Sequence, residues 1–275
     1  MQRIDPAGEN HYLVRDKQVF PATQASQDQL LSLIQVFEPQ SIQRLRSTTM
    51  SQPYAITQRS DAVLATNKLI RNTYILLSMT LLFSALMATV STVMTFNGLL
   101  PMWLPLVTLG GAFLLLWLVL PRTAQSAAGL AVVFAITGLL GFGLGPMLTQ
   151  YLSLSNGGQI VATALGGTGV IFLGLSGYAL TSRRDFSFMG GFLFVGLLVA
   201  LVAILANIFL QMPALSLAIS AVVILIMSGL ILYDTSRMVH GGETNYIMAT
   251  ISLYLNIFNL FVHLLSILGF MGGDD

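Results

Sequence analysis

The stretch LILYDTSRMVHGGETNYIMATISLYLNIFNLFVHLLSILGF, residues 230–270, contains the pattern that decides the fold. An apolar run ends near Asp234, a short polar segment follows, and residues 245–270 form a second long apolar run. A helix needs about 20 apolar residues to cross the hydrocarbon core of a bilayer. The stretch therefore predicts two membrane-spanning helices joined by a short charged loop.

The composition of the whole chain agrees with this interpretation. Hydrophobic residues make up 55% of the 275 residues and charged residues only 8%, and the mean hydropathy is +0.80. Because soluble domains carry about 25% charged residues, the composition indicates a polytopic protein embedded in a lipid bilayer. The net charge of +1 indicates no nucleic-acid partner, and the lack of cysteine excludes disulfides and thiolate metal sites.

Seven membrane-spanning helices are predicted when the apolar sequence is divided at its proline, glycine, asparagine and charged clusters. Proline interrupts a helix, and lipid offers no partner to an open sheet edge, so the expected fold class is an all-α membrane protein. The predicted spans cover residues 72–95, 100–120, 126–149, 158–180, 187–210, 214–233 and 245–270.

The basic residues predict the orientation of these spans. Residues 1–71 hold eight of the 12 Lys and Arg residues. The other four follow predicted spans 2, 4 and 6, and they are Arg122, Arg183, Arg184 and Arg237. All of them therefore fall on the side of the N-terminal tail. The positive-inside rule places this side in the cytoplasm and the C-terminus outside it.

The chain divides into four predicted segments. Residues 1–49 have no membrane-length run and are interpreted as an N-terminal extension, either disordered or arising from an upstream start before Met50. An alternative is a cytoplasmic arm that binds a partner. Residues 50–71 form a disordered-looking cytoplasmic tail, residues 72–270 the seven-helix transmembrane domain, and residues 271–275 a short C-terminal tail.

The last predicted span carries a polar stripe: Ser252, Asn256, Asn259, His263 and Ser266. Their spacings of four, three, four and three place all five on one face of a helix. Polar groups inside a membrane are costly unless they face protein or water, so this face is expected to point into the bundle. Two interpretations remain open: hydrogen bonds to neighbouring helices, or the lining of a pore.

Asp234 is the conspicuous carboxylate of the apolar region. It can act as a pH sensor or gate, because burial and neighbouring charges change the pKa of a carboxyl group. The alternative is an interfacial residue paired with Arg237, three positions further along the helix. His240 and His263 lack further ligands at metal-binding spacing, and no catalytic motif is present, so we expect no metal, no cofactor and no enzymatic activity.

Five separated motifs occur in a characteristic order: GLLGFGLGPML (138–148), TALGGTGVIF (163–172), RRDFSFMGG (183–191), LYDTSRMVHGGETNYI (232–247) and SLYLNIFNLF (252–261). Over residues 50–275 the chain resembles the transmembrane Bax inhibitor motif family, in particular its bacterial YccA-like branch. The resemblance implies a seven-helix bundle with the last helix in the centre. It also implies a location in the bacterial inner membrane and modulation of proteolysis by the membrane protease FtsH.

The resemblance implies an alternative function as well, a pH-sensitive calcium leak channel gated by two paired aspartates and an arginine latch. Asp234 matches the first aspartate, whereas Asn256 stands at the position of the second, and Arg122 lies about one position from the latch arginine. Any leak of calcium ions is therefore expected to be weak. A secondary transporter is less favoured, because no internal repeat is evident.

Overall fold

A computed structural model describes the backbone of residues 12–15, 18–21, 40–101, 103–182 and 184–272, with side chains described from Leu64 onward. The chain forms two compact units, Met1–Val63 and Leu64–Asp275. In the first unit, strands β1 (Tyr12–Arg15) and β2 (Gln18–Pro21) pair antiparallel, with Val14 opposite Val19. The second unit is helical throughout its described elements.

Within the residues that the structure describes, nine α-helices follow the hairpin in the sequence. Two further segments have other helical geometry, a π-helical turn at Leu115–Val119 and a 3₁₀ turn at Ser187–Met189. The helices are α1 (Gln40–Phe96), α2 (Leu104–Leu114), α3 (Leu120–Thr123), α4 (Ala127–Gly143), α5 (Gly145–Leu152), α6 (Gly157–Ser182), α7 (Gly190–Leu210), α8 (Pro213–Val239) and α9 (Tyr246–Gly272).

Within the described residues these elements form seven spans that are long and apolar enough to cross a membrane, which confirms the predicted fold class. They are span 1 (Leu64–Phe96), span 2 (Leu104–Thr123), span 3 (Ala127–Leu152), span 4 (Gly157–Ser182), span 5 (Ser187–Leu210), span 6 (Pro213–Val239) and span 7 (Tyr246–Gly272). Prolines explain the internal joints: Pro121 follows the π-helical turn of span 2, and Pro146 follows the joint between α4 and α5.

Two helices extend beyond the apolar runs that predicted them. Helix α1 begins at Gln40, so residues 50–71 are helical where the sequence suggested an irregular tail. Span 6 ends at Val239 rather than at residue 233, which places Asp234 inside the helix. The physical reason is the same in both cases. Once a helix is nucleated, each added residue gains one hydrogen bond at little cost. A helix can therefore continue beyond the end of its apolar run.

Span 7 is the centre of the bundle. It supplies buried side chains to all three hydrophobic clusters, for example Leu253, Leu260 and Leu265. It is the most buried of the seven spans, and span 5 is the least buried. This arrangement confirms the expected central position of the last helix.

Spans 1 and 3 approach so closely that only glycine fits at the contact. A Cβ atom at Gly141 would lie 2.3 Å from the backbone oxygen of Ser84, and one at Gly145 would lie 2.1 Å from Oγ of Ser91. Small residues at helix interfaces allow van der Waals packing in a membrane, where the hydrophobic effect does not drive helices together. This contact holds span 1 firmly against span 3.

Candidate functional site: the polar face of the last helix

The carboxylate of Asp234 is buried between spans 6 and 7. Its Oδ2 atom accepts a hydrogen bond of 2.5 Å from the hydroxyl of Ser252 and one of 2.8 Å from Nδ2 of Asn256. Asp234 is only 8% exposed and Asn256 only 6% exposed. Hydrogen bonds to an ionised group are stronger than neutral ones, so the two donors compensate in part for removing this charge from water.

Arg237 does not pair with Asp234, so that interpretation of the sequence is wrong. Its guanidinium group lies 3.6 Å from the carboxylate of Glu243 and donates a 2.9 Å hydrogen bond to the carbonyl of Gly242. It also lies over the ring of Tyr233, 5.6 Å from the ring centre. A long basic side chain near a span end extends towards the polar loop, whereas the carboxylate of Asp234 faces span 7.

Arg122 is also separate from Asp234. It is exposed in the last turn of span 2, and its guanidinium group donates to the carbonyl of Leu118 in the same span. The structure therefore brings Asp234 and Asn256 together but leaves the expected latch residue apart. Arginine side chains near the end of a span commonly extend to the interface, because the charged head then remains in a polar environment.

The other members of the polar stripe bond along the length of span 7. Asn259 donates from Nδ2 to the carbonyl of Leu255 in its own helix at 2.8 Å. His263 forms a 3.1 Å hydrogen bond through Nδ1 with the hydroxyl of Ser220 in span 6. Ser266 bonds to the side chain of Tyr151 in span 3. The stripe thus links the central helix to two neighbouring spans.

Four of the five stripe residues line a cavity of about 510 Å³, which is partly open because exposed side chains such as Phe113 and Leu201 form part of its wall. The remaining walls of the cavity are apolar side chains from spans 2, 3, 5 and 6 together with Leu255 and Phe258 of span 7. The cavity has four polar lining residues, all on span 7, and they are Ser252, Asn256, Asn259 and His263. The side chains of the stripe therefore bond to neighbouring residues and also border a partly open cavity, and the pore interpretation stays a prediction.

The donor set beside the cavity does not resemble a metal centre. Within the described residues there is no group of three His, Cys, Asp or Glu side chains that could hold a metal ion. Asp234 has neutral hydrogen-bond donors, Ser252 and Asn256, as its direct partners. The chemistry open to this arrangement is the gain or loss of a proton at the carboxylate of Asp234. Such a change also alters the hydrogen bonds from Ser252 and Asn256.

Sequence reasoning missed two polar links at the same end of the bundle. The hydroxyl of Tyr74 in span 1 bonds to Ser176 in span 4, and Ser176 contacts Thr235 of span 6 at 3.4 Å. Asn245 accepts a 2.8 Å hydrogen bond from the amide of Ile247 and donates one of 2.9 Å to the carbonyl of Ala124. For the first link the signal in the sequence was Thr235, the polar residue next to Asp234. For the second it was Asn245, an asparagine immediately before the N-terminus of span 7.

The loop between spans 4 and 5 is fastened to span 6. The hydroxyl of Ser236 accepts a 3.0 Å hydrogen bond from the amide of Phe186 and donates one of 3.2 Å to the carbonyl of Arg184. Hydrogen bonds from the side chain and the backbone of Ser187 hold the pKa of Asp185 below its usual value. Asp185 thus stays ionised at neutral pH in an exposed loop.

Known proteins share this sequence over most of its length. The family model described as "Inhibitor of apoptosis-promoting Bax1" matches residues 66–273. The "Modulator of FtsH protease YccA" of Escherichia coli K12 is 53% identical over 213 residues, which are 78% of this chain and 94% of that protein. The "Inner membrane protein YccA" of Escherichia coli O6:H1 has the same identity and coverage.

A membrane protein of Vibrio cholerae is 49% identical over 219 residues, which are 80% of this chain and 96% of that protein. The family match begins at residue 66 and ends at residue 273, so it includes all seven spans except the first two residues of span 1. On this evidence the chain belongs to the Bax inhibitor-1 family.

Proposed function

We propose that this chain is a multi-pass protein of the bacterial inner membrane that modulates proteolysis by the membrane protease FtsH. The observation that carries the proposal is the 53% identity with a protein named as the modulator of this protease, over 94% of its length. A relative of equal identity is named an inner membrane protein, which supports the location. One of these relatives is named as a modulator and the other as an inner membrane protein, and we infer a regulatory rather than a catalytic role.

The proposed orientation places the N-terminus in the cytoplasm and the C-terminus in the periplasm. Its support is the position of the basic side chains. Arg122 is in the last turn of span 2, Arg184 lies between spans 4 and 5, and Arg237 is in the last turn of span 6. Each even-numbered span returns the chain to the side from which span 1 starts, so these basic residues lie on the N-terminal side, and the seventh span takes the C-terminus to the other side.

The test uses Escherichia coli cells that lack YccA and express this chain from a plasmid. The half-life of a membrane substrate of FtsH is measured by pulse-chase labelling, with YccA itself and an empty plasmid as references. We expect this chain to change the half-life in the same direction as YccA, and we expect FtsH to co-purify with it. A strain with proteolytically inactive FtsH is the control. A half-life equal to that of the empty plasmid, with the chain present in the membrane, would contradict the proposal.

The second candidate function is a pH-sensitive calcium leak, and one observation favours it. A buried carboxylate, Asp234, is bonded to Asn256 and Ser252, which line a partly open cavity. We propose that protonation of Asp234 weakens these hydrogen bonds and so loosens the contact between spans 6 and 7. Hard cations such as Ca²⁺ prefer several oxygen ligands with negative charge, and one carboxylate supports at most a weak leak.

A further inference from the structure

We propose that a groove between spans 1 and 4 binds one hydrocarbon chain of a bilayer phospholipid. The groove has a volume of about 650 Å³, and span 7 forms its floor through residues such as Tyr254. Ala85 of span 1 and Gly169 of span 4 belong to its opposite walls. On span 7 the groove is lined by Tyr254, Ile257, Phe258 and Phe261, none of which belongs to the polar stripe, and Phe258 is the wall that it shares with the cavity beside Asn256.

The shape of the groove fits an extended chain. Its lining follows span 1 from Leu81 to Phe96, the last residue of that span, which corresponds to a length of about 22 Å at about 1.5 Å per residue. The hydrocarbon core of a bilayer is about 30 Å thick. Ala85, Thr89 and Leu165 are exposed at the margins. The groove therefore opens sideways towards lipid and runs inward from one end of the bundle.

The chemistry of the lining favours hydrocarbon over water. Thr89, Thr92 and Thr168 line the groove, but each hydroxyl donates to the carbonyl four residues earlier in its own helix. The hydroxyl of Tyr254 is bonded to Ser84 at 2.7 Å and to the carbonyl of Thr137 at 3.2 Å. An ordered water needs two to four polar partners, and the hydroxyl donors of these threonines are already engaged within their own helices.

The groove cannot close by a movement of span 1. Ser84 and Ser91 are fitted against Gly141 and Gly145 of span 3, and Ser84 is also bonded to the central span 7. If the groove were empty, the side chains of spans 1 and 4 that line it would lack van der Waals contacts on that side. Such contacts are a main source of packing energy between helices in lipid. A molecule from the surrounding bilayer restores them.

A lipid chain fits better than a helix from a second copy of the protein. A helix with its side chains is about 10–12 Å across. A single hydrocarbon chain is much thinner and can follow a narrow groove along its length.

Gly169 offers a direct way to fill the groove. A Cβ atom at Gly169 would meet no other atom within 4 Å, and the same is true of Gly166 on the same span. Gly169 lines the groove, whereas Gly166 is exposed and lies outside it. Gly169→Phe therefore directs a ring towards the groove from an unobstructed Cβ position, and Gly166→Phe is the matched control with the same change in helix propensity.

The experiment reconstitutes the full chain in vesicles of phosphatidylethanolamine and phosphatidylglycerol. A small fraction of the phospholipid carries a photoreactive diazirine in the middle of one acyl chain. After illumination, the labelled peptides are mapped by mass spectrometry. We expect labelling to concentrate on the facing walls of spans 1 and 4, to fall several-fold in Gly169→Phe, and to remain in Gly166→Phe. Native mass spectrometry should show one fewer retained phospholipid in Gly169→Phe.

Two results would overturn the proposal. One is labelling spread evenly over all lipid-facing spans and unchanged by Gly169→Phe. The other is cross-linking between two copies of the chain through the groove, which would identify a second copy as the occupant. Size-exclusion chromatography checks that each variant is folded. If Gly169→Phe is not, Ala85→Phe on the opposite, exposed wall replaces it, with the same expected loss of labelling.

Discussion

Oδ2 of Asp234 accepts a 2.8 Å hydrogen bond from Nδ2 of Asn256, and this contact joins two residues that are 22 positions apart on different spans. The contact lies where spans 6 and 7 meet beside the partly open cavity that Asn256 lines. The formal charges that act on Asp234 are those of Arg237 and Glu243, which are close to each other in the adjoining loop region. The carboxylate therefore depends on neutral donors for its direct stabilisation.

Replacing Asn256 by Asp tests the calcium-leak candidate. Asn256→Asp places a second carboxylate at hydrogen-bond distance from Asp234, so the two groups share a proton and titrate as a coupled pair. We expect a stronger calcium leak with a steeper pH dependence, and a flattened pH response in Asp234→Asn. A shift of one pKa unit corresponds to about 1.4 kcal/mol, which changes a closed-to-open ratio about tenfold. Calcium flux into proteoliposomes is measured from pH 6 to 8.

The control for this prediction is Asn259→Asp. It makes the same substitution on the same helix, but Asn259 bonds to its own backbone rather than to Asp234. We expect it to change the pH dependence less than Asn256→Asp does. If the wild type and all variants behave like empty liposomes, the calcium-leak candidate is excluded.

The hydrogen bond between spans 6 and 7 should contribute to stability. Asn256→Leu removes one of the two donors to Asp234 and leaves a buried carboxylate less well satisfied. We expect a loss of about 1–3 kcal/mol in the free energy of unfolding. Asn259→Leu removes a hydrogen bond within one helix and should cost less. Unfolding in detergent, followed by circular dichroism, gives both values, and equal losses would argue against a special role for the contact with Asp234.

The close packing of spans 1 and 3 predicts opposite outcomes for two glycines. A Cβ atom at Gly141 would overlap the backbone of Ser84, whereas one at Gly110 in span 2 meets nothing within 4 Å. Overpacking typically costs about 1–3 kcal/mol, and the cost rises when the obstacle is backbone. We expect Gly141→Leu to lower the unfolding temperature clearly and Gly110→Leu to leave it unchanged or raise it slightly. Equal unfolding temperatures would show that the two spans separate easily.

The proposed orientation can be tested with fused reporters. A reporter that is active only outside the cytoplasm should be active after Asp275 and silent after Arg184. Fusions in the loop between spans 5 and 6, which has no Lys or Arg, should be active as well. The physical basis is the retention of basic loops on the cytoplasmic side. The reverse pattern would overturn the proposed orientation.

The N-terminal segment before span 1 should control turnover if FtsH acts on this chain. A membrane protease of this kind needs an accessible cytoplasmic end to pull on. Helix α1 is continuous from Gln40 to Phe96, and Leu64 is the first residue assigned to span 1, so the deletion stops at residue 63 to leave that span whole. We expect a chain that starts at Met50 to be degraded normally. A chain that starts at Leu64 after an added methionine should have a longer half-life.

Membrane fractionation is the control for these shortened chains, because both should insert normally. An unchanged half-life of the Leu64 chain, in cells with active FtsH, would count against a role for residues 50–63. The comparison with cells lacking FtsH separates this effect from general instability.

The number of spans and the polar face of span 7 could be predicted because both depend on local sequence. Hydrophobic length reports whether a helix can cross a bilayer, and spacings of three and four place residues on one face. From the sequence, the partner of Asp234 could be either Arg237 or Asn256. Arg237 is close along the helix, but contact with Asn256 depends on how span 6 is rotated against span 7. That rotation is set by packing over the whole bundle.

The glycines also show that local sequence does not predict contacts between helices. By itself the sequence determined that this is a seven-helix membrane protein with a polar stripe on its last helix and many small residues elsewhere. Only the tertiary structure decided that Gly141 touches Ser84, that Gly169 faces an open groove and that Arg122 stays away from Asp234. The physical reason is that hydropathy and periodicity are properties of one helix, whereas contacts and cavities arise from the relative rotation and spacing of several helices.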